Sequence, residues 1–190
     1  GDDVIPFTGT FDGQGHTLSN LYIHRVQEST VGLFGSVYLA SIHSFEILNS
    51  QITGKYTVGG VVGYAEESAV MDCIVEGLLS GEGSVGGIVG ETDNVSITNC
   101  SFSGTITGGD NSSNLGGIAG YTSESQLINS MVHAQISGGV TVGGIAGYGY
   151  ELSVSNSLFS GTVSGDDRVG GVVGRVFGNA TGKAIENSYT

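Results

Sequence analysis

The residues able to do acid, base or nucleophilic chemistry in this chain are few and scattered. Its cationic side chains are Arg25, Lys55, Arg168, Arg175 and Lys183, set against eighteen Asp and Glu. A polysaccharide lyase would need such a base to take a proton, with carboxylates holding calcium beside it. Arg168 and Arg175, near Asp166 and Asp167, form the best cluster of that kind. A glycosidase would need two carboxylates converging on one bond. Asp166-Asp167 and Glu66-Glu67 are adjacent in sequence, so on a strand their side chains point to opposite faces; they read as solvated turn charges. His16, His24, His43 and His133 lack the spacing of metal ligands, and no nucleophile with a base stands out. The chain is therefore expected to be no enzyme and to carry no metal or cofactor.

Binding chemistry is better represented. Tyr64, Tyr121 and Tyr148 occur at one repeat position, with Glu91 and Arg175 in the same column. Such a row can stack on sugar rings through its apolar faces, or can simply cover the end of a strand. A hydroxyl column, Thr53, Ser80, Thr107, Ser137 and Ser164, follows two residues after Gln51, Leu78, Thr105, Gln135 and Thr162. Flat Thr rows bind ice, but the mixture with Ser, Gln and Leu is irregular, so ice binding is kept as a minor reading. Cys73 and Cys100 fall one repeat apart, where a disulfide and two stacked thiols are both open readings. Sequons at Asn94, Asn111 and Asn179 are expected on turns, and Asn99 also fits the pattern.

The elements that must hold these residues follow from composition and period. The chain has 190 residues, with 35 Gly, one Pro and no Trp; 38% are apolar and only 12% charged. That charged share is about half of the usual ~25%, and Gly, Ser, Thr and Asn fill the difference. Many short strands joined by tight turns fit this composition. The net charge of −13 repels a phosphate backbone and anionic lipid, so neither nucleic acid nor a membrane surface is an expected partner. No apolar run approaches the length of a membrane span.

One phrase recurs: VGGVVGY, VGGIVGE, LGGIAGY, VGGIAGY and VGGVVGR, from Val58, Val85, Leu115, Val142 and Val169, with a looser VGLFGS from Val31. The steps between starts are 27, 27, 30, 27 and 27 residues, and Val4–Thr30 supplies a divergent first unit. The longer step comes from an enlarged turn, GGDNSSN, at Gly108–Asn114. A fixed period of this kind marks a solenoid. Each unit reads as three strand-length segments, in the fourth VGGIVGE, VSITNC and SFSGTITG. The predicted fold is all-β: a single domain over residues 1–190, a right-handed, three-faced parallel β-helix. It has about seven coils starting near 4, 31, 58, 85, 115, 142 and 169, stacked ~4.8 Å apart.

In such a coil the double Gly suits a corner that needs positive φ or close backbone approach. A second column is expected through Asn20, Ser44, Asp72, Asn99, Asn129, Asn156 and Asn187. Asn tolerates the left-handed conformation, which makes a stacked structural corner out of it.

Repeats of the form VGGIVGxxxxxxxIxNCxxxGxIxG resemble the GLUG motif of bacterial surface adhesins and of the N-terminal region of IgA-specific metallopeptidases. The opening FTGTFDGQGHTLSNLYI with VGLFG resembles the first coils of those β-helical regions. The resemblance spans nearly the whole chain and implies an extracellular or cell-surface protein. It does not extend to peptidase chemistry, because no HExxH occurs.

The leading expectation is a non-catalytic extracellular module, a rigid stalk or adhesive surface with a glycan or host-surface ligand. It is either a segment of a longer chain or a unit complete in itself. The alternative is a self-assembling fibre subunit whose bare coil edges pair end to end. A carbohydrate-active β-helix comes third, and would require Asp166, Asp167, Arg168 and Arg175 to share one groove.

Overall fold

The structure is a computed structural model that describes residues 5–109, 113–178 and 185–190. The turn sequon at Asn111, the sequon at Asn179 and Lys183 therefore lie outside the described residues. Every regular element among the described residues is a β-strand, and every ladder is parallel. Short strands Thr30–Val31, Thr57–Gly59, Ser84–Gly86, Asn114–Gly116, Thr141–Gly143 and Arg168–Gly170 pair in sequence order to make one sheet. The other segments join a 16-stranded sheet that wraps the rest of each coil. The molecule is a β-solenoid.

Two expectations are corrected in detail. The solenoid has about six turns rather than seven, because among the described residues the sheet that carries the start of the repeated phrase has six rungs, and residues 5–29 contribute none of them. The coils that begin at Ser84, Asn114 and Thr141 also have four strand segments where three were expected. The phrase itself bends at its double glycine: Ser84–Gly86 and Val89–Asp93 are separate strands of different sheets.

That bend explains why the phrase is rich in glycine. The double glycines do not have positive φ. They are needed for close approach. A Cβ on Gly87 would stand 2.1 Å from the carbonyl oxygen of Gly117 one coil on, and 2.3 Å from Cγ of Phe102. The third glycine is needed for the same reason, since a Cβ on Gly90 would lie 2.6 Å from the carbonyl of Gly63. Positive φ is used elsewhere, by Asp72, Asn99, Asn129, Asn156 and Asn187 at one corner (47–55°) and by Leu39, Glu67, Asn94, Glu124 and Glu151 at another (45–53°).

Strand alternation sends every second side chain inward, and register stacks them into columns. Val58, Val85, Leu115 and Val142 form one fully buried column; Val61, Ile88, Ile118 and Ile145 form another. Val75, Phe102, Val132 and Phe159 fill the interior below the wide face, in register across Ala69–Gly81, Ser101–Gly108, Met131–Ser137 and Leu158–Ser164. The interior serine column satisfies itself: the Ser130 amide donates to Ser157 Oγ at 3.1 Å, while Ser157 Oγ donates to the Ser155 carbonyl at 3.0 Å.

Candidate functional site

Where the phrase bends, the outward residues of its two strands face one another along the rod. One wall carries Thr57, Ser84, Asn114, Thr141 and Arg168, in register across successive coils. The other carries Tyr64, Glu91, Tyr121, Tyr148 and Arg175, also in register. Ser84 lies close enough to Glu91 across the bend for its hydroxyl to favour the ionised carboxylate. Two residues further along the second wall runs a parallel column of Tyr38, Glu66, Asp93, Ser123, Tyr150 and Phe177.

The three tyrosines singled out from sequence thus share one column, but their surroundings differ. Tyr121 and Tyr148 stack with ring centroids 5.2 Å apart and planes within 5°. The Arg175 guanidinium covers the far side of Tyr148 at 5.7 Å. Their ring faces are therefore engaged with each other and with Arg175. Tyr64 instead points its hydroxyl toward Glu66 Oε2 at 3.4 Å. Burial, with the charges of Glu66, Asp93 and Glu91, pushes the Tyr64 phenol up to about 12.

A cleft of about 560 Å³ opens beside Tyr64 at this end of the groove. Tyr38, Tyr56, Tyr64, Thr57, Glu66 and Glu91 line it. Burial raises the Glu91 carboxyl above its ordinary value, while the Ser84 hydrogen bond works against that rise. Tyr56 is half exposed, and Lys55 Nζ lies 4.7 Å above its ring. Tyr38 and Tyr56 escape sequence reasoning because neither belongs to the recurring phrase. Only the inward bend brings them next to Tyr64.

The remaining candidate residues fall elsewhere. Asp72, Asn99, Asn129, Asn156 and Asn187 occupy a single exposed corner. Asn99 Nδ2 donates to Asp72 Oδ1 at 3.0 Å, Asn129 Nδ2 to Asn99 Oδ1 at 3.2 Å, and Asn187 Nδ2 to Asn156 Oδ1 at 3.2 Å. Asn20 does not belong to this column. It stacks on Asn49, whose Nδ2 donates to Asn20 Oδ1 at 2.6 Å. The corner column enters the first coil at Gly13 to Gly15, three residues opposite the single Ser44, whereas Ser19 pairs with Leu48 and so sets Asn20 beside Asn49.

Cys73 and Cys100 are fully buried thiols on adjacent coils. Cys73 donates to the Met71 carbonyl at 3.1 Å and Cys100 to that of Thr98 at 3.4 Å. The hydrogen bond with Cys100, followed by burial, pushes the Cys73 thiol upward, away from its reactive thiolate. Asp167 is paired with Arg168 at 2.8 Å, and Arg168 and Arg175 stand on opposite walls of the groove. Of the hydroxyl column, Thr53 and Ser80 bond to each other at 3.1 Å. Of the sequons inside the described region, Asn94 is exposed at the second corner and Asn99 lies in the asparagine column.

Comparison with known proteins agrees with this architecture. Residues 81–107 match the family model for the GLUG motif. Halomucin from Haloquadratum walsbyi is 46% identical over 63 residues, which are 33% of this chain and 1% of Halomucin. The chain therefore spans only a small fraction of that relative. Among solved structures, a candidate immunoglobulin A1 protease from Bacteroides ovatus superposes with a TM-score of 0.66 at 19% identity, covering 95% of this chain and 68% of the other. A second IgA1 protease structure gives 0.60 at 23% identity, covering 95% of this chain and 17% of the other. At such identities the likeness is one of fold. The chain is a β-solenoid that carries the GLUG motif, with the motif's glycines forming the bend that lines its groove.

Proposed function

We propose that this chain is a non-catalytic extracellular module, a rigid β-solenoid that holds an adhesive groove at a cell surface. The observation that carries this reading is the groove itself, which Tyr64, Tyr121 and Tyr148 line along one wall and Thr57, Ser84 and Thr141 along the other. Extracellular placement is supported by the GLUG motif and by the similarity to a stretch of Halomucin. The two protease structures support a solenoid that accompanies other activities in larger chains. Transfer of that role here rests on fold alone.

The test combines light scattering and negative-stain imaging of the purified chain with glycan-array binding and a polysaccharide cleavage assay. The expected result is a monomeric rod that binds at least one glycan class and releases no sugar. Steady release of product from any polysaccharide would replace this reading by a carbohydrate-active one. Fibres of uniform width growing end to end would replace it by a self-assembling subunit.

A further inference from the structure

We propose that the cleft at Tyr38, Tyr56 and Tyr64 is a subsite for a neutral oligosaccharide, with Glu66 and Glu91 accepting hydrogen bonds from its hydroxyls. This deepens the adhesive reading and rests on it.

The argument begins from what the lining offers. The cleft, at about 560 Å³, falls within the ~300–1,000 Å³ of small-ligand sites. Three tyrosines supply apolar ring surface ending in hydroxyls, and Thr57 adds a further hydroxyl. Two carboxylates supply acceptors. A pyranose has the matching pattern, one face of C–H groups and a rim of hydroxyl donors. Unlike Tyr121 and Tyr148, which stack on one another, Tyr38, Tyr56 and Tyr64 have no ring-stacking partner among the described residues.

Charge selects the ligand class. Glu66 and Glu91 line the cleft and Asp93 is in register with Glu66, so a uronate or a sulfated sugar would meet like charge. A cationic ligand is disfavoured for a different reason. The position over the Tyr56 ring where a ligand ammonium would sit is already taken by Lys55. A neutral sugar carries no charge to be repelled by Glu66, Glu91 or Lys55, and Tyr38 and Tyr64 also line the cleft beside Tyr56.

The experiment measures binding of three probes to the intact chain by calorimetry and array: neutral hexose oligosaccharides, uronate oligosaccharides and choline. Each is repeated with Tyr56→Ala, Glu66→Gln and Tyr148→Ala. Tyr56 is half exposed, so its removal leaves the core untouched, and thermal melts verify that each variant folds. The expected result is a neutral oligosaccharide bound by the wild type, weakened at least tenfold by Tyr56→Ala and by Glu66→Gln, and unaffected by Tyr148→Ala. Glycan binding that survives Tyr56→Ala and Glu66→Gln but is lost in Tyr148→Ala overturns the cleft assignment and leaves the adhesive module standing. Preference for the uronate or choline probe at the cleft overturns the neutral ligand class. Absence of all glycan binding overturns both readings together.

Discussion

The bend in the repeated phrase predicts an uneven response to a single methyl group. In Gly87→Ala the new Cβ would start 2.1 Å from the Gly117 carbonyl oxygen, about 1.3 Å short of ordinary contact, with Phe102 Cγ at 2.3 Å. Neither neighbour can retreat easily. Phe102 is fully buried, and the Gly117 carbonyl belongs to a coil held to this one by its ladder. The bonds at the bend are Gly87 N–H to Gly116 O at 3.2 Å, and Ile88 and Val89 N–H to Ile118 O at 3.0 Å. Separating the coils enough to admit the methyl stretches these three bonds together. Overpacking costs about 1–3 kcal/mol, and each buried backbone group left unpaired about 1–3 kcal/mol. With one N–H left unpaired, the expected destabilisation is about 2–6 kcal/mol.

Two other glycines serve as internal standards. Gly15 has a φ of +72° and nothing within 4 Å of where an added methyl would sit, so Gly15→Ala should cost only the left-handed strain of about 1–2 kcal/mol. Gly109 has its nearest neighbour at 3.5 Å, in ordinary contact, so Gly109→Ala should stay within about 1 kcal/mol of wild type. The assay is urea unfolding followed by far-ultraviolet circular dichroism, with a second probe to establish a single transition, because solenoids can unfold coil by coil. If Gly87→Ala falls within about 1 kcal/mol of wild type, or costs less than Gly15→Ala, the close-approach account of the phrase is wrong.

Other perturbations test other parts of the structure. Thr92 Oγ1 is buried without a hydrogen-bond partner, and Ala65 holds the equivalent interior position, so Thr92→Val should stabilise by about 1–3 kcal/mol in the same unfolding assay. Because burial raises the Glu91 carboxyl in the folded state, the fold binds an extra proton just above the unfolded glutamate value. Stability should therefore fall as pH rises from that value through the raised one. Glu91→Gln should remove this component and be more stable than wild type at pH 8, and a steeper loss with pH in the variant would contradict the assignment. At the exposed corner, Asn99→Ala loses side-chain bonds to Asp72 and Asn129 and strains a φ of 55°; about 1–3 kcal/mol is expected, partly recovered by Asn99→Gly. Cys73 and Cys100 should alkylate only after unfolding, two labels per chain, and a mass two daltons low without labelling would show them bridged instead.

Periodicity made most of the fold legible in the chain itself. The 27-residue step places equivalent residues one rung apart, and a parallel ladder preserves that equivalence, so the Tyr64, Glu91, Tyr121, Tyr148 and Arg175 column emerged directly. The same arithmetic failed at Asn20, because in the divergent first coil the corner column runs through Gly13 to Gly15 and the ladder sets Asn20 beside Asn49 instead. The second corner, through Glu67, Asn94, Glu124 and Glu151, was also hidden, since glutamate gives no signal for the left-handed conformation it adopts there.

Sequence alone determined that this is an acidic, glycine-rich β-solenoid, because period, strand patterning and charge are properties of the chain taken one residue at a time. Only tertiary structure decided that the phrase folds inward. That bend depends on carbonyls of neighbouring coils meeting glycines across space, and it alone brings Tyr38, Tyr56 and Glu66 to one cleft beside Glu91.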